Sequence, residues 1–148
     1  MGILIDNRQN KHRISVEKIR KRARIVLNAL DCPEGELSIL ILDDLQIETL
    51  NEKYLKRKCP TNVIAFPMQE GKFSNINPRL LGDVVISLET ARREAKDSGI
   101  TTEMRFTQLL VHGILHLFGY DHETTLKESL RMEKKSDAIL KRIEETGE

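Results

Sequence analysis

Residues 112–122 read HGILHLFGYDH, and three of the chain's four histidines fall inside them. His112 and His116 are four apart, so a helix sets both imidazoles on one side, one above the other. Gly119 then tolerates a positive φ, which turns the chain and returns His122 toward the first two. Three neutral imidazoles around one cation, with a fourth position left for water, is the arrangement of a catalytic zinc site. The interval H-x3-H-x5-H, with Gly119 in the place of its glycine, follows the metzincin signature HExxHxxGxxH except at one residue. Gly113 stands where that signature has its general-base glutamate, so the peptidase reading loses its proton acceptor. Two other readings stay open: core histidines with satisfied hydrogen bonds, and a structural metal, which would usually take four protein ligands. Three imidazoles suit nickel and iron as well as zinc.

With no glutamate beside the first histidine, the cation itself has to activate the attacking group, either by lowering the pKa of bound water toward neutrality or by polarising a phosphoryl oxygen. Asp121 either orients an imidazole or caps the last helix; the sequence leaves both open.

Working outward, the C-terminal half reads as helical: a charged segment from Leu88 to Ser98, then about Glu103 to Phe118, then about Thr124 to Ile143, with Gly99 and Gly119 as terminators. Upstream, "ILID" at the start reads as a short strand. Ser15 offers an N-cap to a helix whose Val16, Ile19, Ala23, Val26, Leu27 and Leu30 form one apolar stripe, ending before Pro33 and Gly35. "ELSILIL", residues 36–42, is a buried strand by length and by its Ile and Leu content. Asp43 or Asp44 caps a helix running to about Lys56, with Leu45, Ile47, Leu50 and Tyr54 as packing residues. Strands near Val63 to Phe66 and Val84 to Ser87 follow, separated by PMQEGKFSNINPRLLG, a polar stretch with Pro67, Gly71 and Pro78 that reads as an exposed loop. Thr61 and Asn62 can hydrogen-bond local backbone ahead of the first of these strands. Gly82 allows a close approach, and Asp83 either sits near the cleft or ends a strand with a local hydrogen bond. The expected class is α+β or three-layered mixed: one domain spanning residues 1–148, with a mixed sheet of about four strands partly covered by about five helices. Strand order is not readable from one sequence.

A chain of 148 residues is the size of one ordinary domain, which argues against a two-domain enzyme. No apolar run approaches a membrane span and the N-terminus lacks a signal core, so a cytoplasmic protein with no membrane partner is expected. Cys32 and Cys59 lie apart with no CxxC partner and read as simple thiols. With six Phe and Tyr residues and no Trp, an RNA-binding module built on aromatic stacking is disfavoured. From Lys11 to Arg24 there are seven Lys or Arg and a single acid, Glu17. Lys18, Arg20, Lys21, Arg22 and Arg24 in that block are candidate phosphate contacts, against the alternative of a solvated helix face. His12 lies in the same block and meets solvent or phosphate. Lys58, Arg79 and Arg57 are further candidates, since RNA backbone must be neutralised near a metal.

Taken together, HGILHLFGYDH, CPTNVIAFP (residues 59–67) and LGDVVIS (residues 81–87) closely resemble the YbeY family of bacterial endoribonucleases, over nearly the whole chain. The resemblance implies a metal, usually zinc, one per chain, on His112, His116 and His122. It implies a cytoplasmic endoribonuclease that prefers single-stranded RNA, matures the 16S ribosomal RNA 3′ end and serves ribosome quality control. Ribosomal RNA and the small ribosomal subunit or its precursors would be its partners, and no DNA is expected. The family usually reads LNxxYRxxxxPTDVLSFP, with the Arg implicated in activity, where this chain reads LNEKYLKRKCPTNVIAFP. Leu55 occupies the Arg position; Arg57, two residues on, is a candidate to deliver a guanidinium to the same groove. Arg57 and Asp121 are thus the candidate catalytic side chains. A non-catalytic ribosome-assembly protein with a structural metal, or another zincin-like hydrolase, are the rival functions.

Overall fold

Alternation along the two central strands decides how the layers form. In β2 (Glu36–Leu42), Leu37, Ile39 and Ile41 enter the larger core while Leu40 and Leu42 face a smaller one; in β4 (Leu80–Ser87), Val84 and Ile86 enter the first and Val85 the second. A strand buried on both faces needs cover on both, and the chain supplies it with helices. The structure, a computed structural model, describes residues 2–68, 79–121 and 125–146. Among these the elements run β1 (Ile3–Asn7), α1 (Val16–Ala29), β2, α2 (Asp44–Leu55), β3 (Val63–Pro67), β4, α3 (Leu88–Ser98), α4 (Thr102–Leu117) and α5 (Leu126–Glu145). The sheet order is β1-β2-β4-β3. β1 and β4 lie parallel to β2, and β3 runs antiparallel to β4 with Val63 opposite Ile86 and Pro67 opposite Gly82. The expected α+β class, four strands and five helices are what is found.

Caps fix where the helices begin. Ser15, Asp43, Ser87, Thr101 and Thr125 each accept a hydrogen bond from the backbone N–H three residues on, and Asp43 with Gln46 completes a reciprocal capping box. α4 is the central helix, with Phe106, Leu110, Ile114 and Leu115 wholly buried. Gly82, at φ 137°, lets β3 and β4 close: a Cβ there would lie 2.2 Å from the Phe66 carbonyl oxygen.

Several boundaries and faces differ from expectation. β4 starts at Leu80 rather than Val84, because its first residues pair with Glu36 and Leu37 across a register shift. On α2, Ile47 is buried, but Leu45 and Tyr54 are 70% and 56% exposed. That helix covers only a small core, and Tyr54 merely meets Phe66 edge-on at 5.7 Å. Arg22 is the main correction: it sits on the buried stripe of α1 between Ile19 and Val26, its side chain 7% exposed, with its guanidinium on Glu103 and on Thr107 Oγ1. It is therefore not on the surface where a phosphate contact was expected. Gly71 and Pro78 of the expected loop lie outside the described residues.

Candidate active site

α4 carries a half-exposed stripe of Thr102, Arg105, Gln108, His112 and His116, and beyond its exposed Glu103 and Met104 the rest of the helix is buried. The stripe follows from the helical period, and the register of α4 on the sheet sets which way it looks. Gly113 governs that register. A Cβ at 113 would lie 2.6 Å from Val84 Cγ1 and 3.3 Å from Val63 Cγ2, so only a residue without a side chain lets α4 lie this close to β3 and β4. A glutamate at this position has no room, and the absence of the zincin base is a consequence of packing.

The two imidazoles stand 4.6 Å apart at an interplanar angle of 76°, with their Nε2 atoms 3.1 Å from each other. Two nitrogens at zinc-ligand distance from one tetrahedral ion would be about 3.3 Å apart, so the pair as placed fits a shared cation. His122, the expected third ligand, lies outside the described residues. The turn that leads to it is in view: Phe118 caps α4, and Gly119 takes φ 90° as its backbone N–H bonds to the His116 carbonyl.

His112 and His116 form one wall of an open cleft of about 730 Å³, whose other walls are β3 with the residues before it, the loop after α2, and the turn at Tyr120 and Asp121. Arg57 and Leu55 both line it. Lys56 ends α2 in the left-handed region at φ 57°, reversing the chain. Buried Asn51 then holds the loop at both ends: its carbonyl accepts from Arg57 N–H at 3.3 Å, and its Nδ2 donates to the Cys59 carbonyl at 2.9 Å. Asn51 is a site-building residue that sequence reasoning missed; a polar side chain one turn before the helix end was its signal. Tyr120 is a second: its ring is covered by the Arg131 guanidinium of α5 at 4.5 Å, which braces the turn carrying Asp121.

The remaining candidates are elsewhere. Lys18 pairs with Glu103 at 3.7 Å beside the start of α4, and Arg20 with Glu17 at 3.5 Å. Lys21 and Arg24 are exposed on the same helix. Since α4 rises by about 1.5 Å per residue, the start of that helix lies roughly 15 Å from the histidines. Lys58 is exposed with Glu52 at 3.9 Å, and Arg79 pairs with Glu34 at 3.3 Å; neither lines the cleft. Asp83 accepts from Ser38 Oγ across the sheet, also outside the cleft.

Two carboxylates among the described residues have shifted pKa values, and neither lines the cleft. Burial alone would raise the Asp44 pKa, but hydrogen bonds from Thr90, Ser87 and Arg93 carry it below its ordinary value. Glu103 is lowered by the hydrogen bond from Arg22, against burial and with help from Lys18.

Comparison with known proteins covers the whole of this architecture. The family model described as Endoribonuclease YbeY matches residues 4–144. Endoribonuclease YbeY of Syntrophotalea carbinolica is 47% identical over 147 residues, covering 98% of each chain, and that of Geobacter metallireducens is 47% identical over 148 residues, covering 99% of each. The Aquifex aeolicus relative is 41% identical over 90% of this chain and 87% of its own. In fold, the chain matches the solution structure of TM1509 from Thermotoga maritima with a TM-score of 0.66 at 23% identity, over 95% of this chain and 88% of that one. A match that runs from β1 into the last turn of α5, at nearly half identity, leaves no element of the fold outside it, and the chain belongs to the Endoribonuclease YbeY family.

Proposed function

We propose that this protein is a metal-dependent endoribonuclease that prefers single-stranded RNA and works in the cytoplasm on 16S ribosomal RNA 3′-end maturation and ribosome quality control, with the small ribosomal subunit or its precursors as partner. The observation that carries the reading is the pair of Nε2 atoms 3.1 Å apart on the wall of a cleft that Arg57 also lines. His112, His116 and His122 would hold one metal ion, zinc by the preference of imidazole sites, with nickel or iron as alternatives. When bound, it supplies a Lewis acid at the scissile phosphoryl group. Arg57 would take over the charge-neutralising role of the family's usual Arg, from two residues further along. Its guanidinium can hold two phosphate oxygens at once and so orient the phosphodiester against the histidine wall. Asp121 at the cleft rim would orient an imbibed hydroxyl or an imidazole. The attacking oxygen is a water or the neighbouring 2′-hydroxyl, and a 2′,3′-cyclic phosphate product would identify the latter. Packing at Gly113 counts against the peptidase reading, because the position has no room for an acid–base side chain.

The test is cleavage of a defined single-stranded RNA by metal-reconstituted protein and by His116→Ala, with metal content measured on both. Joint loss of metal and of cleavage in the variant, by at least about a hundredfold in rate, is the expected result. An intact protein that binds metal and RNA without cutting would instead be a ribosome-assembly factor.

A further inference from the structure

The stripe on α4 continues past the histidines into a second, smaller hollow of about 300 Å³ that shares His112, Asn62 and Val63 with the main cleft. Its polar lining is unlike that of a phosphate site. Arg105 is there, but its Nε bonds Glu94 at 3.0 Å and Asp137 faces the same space, so the hollow carries no surplus of positive charge. What it does present is two amides of fixed polarity. Arg105 donates to Gln108 Oε1 at 2.9 Å, which turns the Gln108 amino group outward. Glu94 accepts from Asn62 Nδ2 at 3.3 and 3.4 Å, which turns Asn62 Oδ1 outward. Among the described residues neither Gln108 Nε2 nor Asn62 Oδ1 has a protein partner. One ion pair, Glu94 with Arg105, thus fixes both amides, and the two residues that carry them line one space.

We infer that this hollow is a base-reading subsite, taking the nucleobase next to the phosphate held at the histidine wall. A donor beside an acceptor in a mostly polar hollow is the complement of an unstacked base edge, and single-stranded RNA is read through such edges. Amides pinned by a charged pair cannot flip to suit a different base, so the arrangement selects rather than tolerates. The inference rests on the reading of the cleft as an RNA site, and it deepens that reading by naming what determines sequence preference. Gln108 is a specificity residue here, placed one turn from His112 and outside the set that would hold metal.

The experiment measures equilibrium affinity for short single-stranded RNAs identical except at one base, using the intact protein, Gln108→Glu and Gln108→Leu. Binding is scored separately from cleavage, so a protein that fails to cut RNA still reports its base preference. The expected result is a spread of about tenfold or more between best and worst base in the natural protein. Gln108→Leu should collapse that spread, and Gln108→Glu should reorder the bases because a donor has become an acceptor. If Gln108 only braces Arg105, Gln108→Leu will melt earlier and Gln108→Glu, which keeps an acceptor for Arg105, will not, both with the base ranking unchanged, and the inference is overturned. It is equally overturned if the natural protein binds all the RNAs alike.

Discussion

Gly113 is the residue on which the position of the histidines depends. It shows what one missing side chain does to packing: the close approach leaves no room for a glutamate, and His112 and His116 line one cleft with β3. Gly113→Ala is expected to lower stability by about 1–3 kcal/mol, the usual cost of overpacking, seen as a lower urea midpoint with an unchanged slope. His116 needs no such neighbour to be recognised. The four-residue interval and Gly119 were legible because helical periodicity and positive φ are local properties. Arg22 was misread for the complementary reason. Its burial is decided by Glu103 and Thr107, some eighty residues away, and nothing within α1 announces them.

At the scale of elements, the first two caps and β2 followed from the sequence, whereas the cap of α5, offered at Asp121 and found at Thr125, and the loop after α2 did not. Ser15, Asp43 and Gly99 act at the positions expected of them, and β2 occupies the expected residues 36–42. The loop that brings Arg57 to the cleft depends instead on a left-handed Lys56 and on Asn51 reaching across to Cys59, a tertiary arrangement with no periodic signature. Asn51 should therefore act through Arg57. Asn51→Ala is expected to cost about 1–2 kcal/mol of stability and to reduce RNA cleavage. Added to Arg57→Ala, it should reduce cleavage no further. A double-mutant cycle on rate at a temperature well below either melting point checks this, and additive losses would separate the two residues.

For the whole molecule, Asp44 joins two helices and the sheet: its carboxylate accepts from Ser87 and Thr90 at the start of α3 and from Arg93, while its own N–H donates to Glu89. With Glu103 it is lowered in the folded chain, so on acidification the unfolded chain takes up protons first. Stability from these groups is complete above their ordinary values, begins to fall at about pH 4–5, and is gone below the folded-state values. Asp44→Asn should lower the urea midpoint at neutral pH and flatten its decline toward pH 3, and a decline as steep as in the natural protein would remove Asp44 from the account.

The order β1-β2-β4-β3 leaves β3 on the rim of the sheet, and that rim lines the cleft. Among the described residues no strand pairs with the outer side of β3, and such a rim offers backbone groups to an extended chain, a second copy of the protein included. The rim that lines the proposed substrate cleft is thus also a rim on which a second strand could pair. Under the proposed function, RNA held in the cleft would lie along that rim, and the expected outcome is that the RNA-free protein self-associates more readily than the RNA-bound one, as read by light scattering.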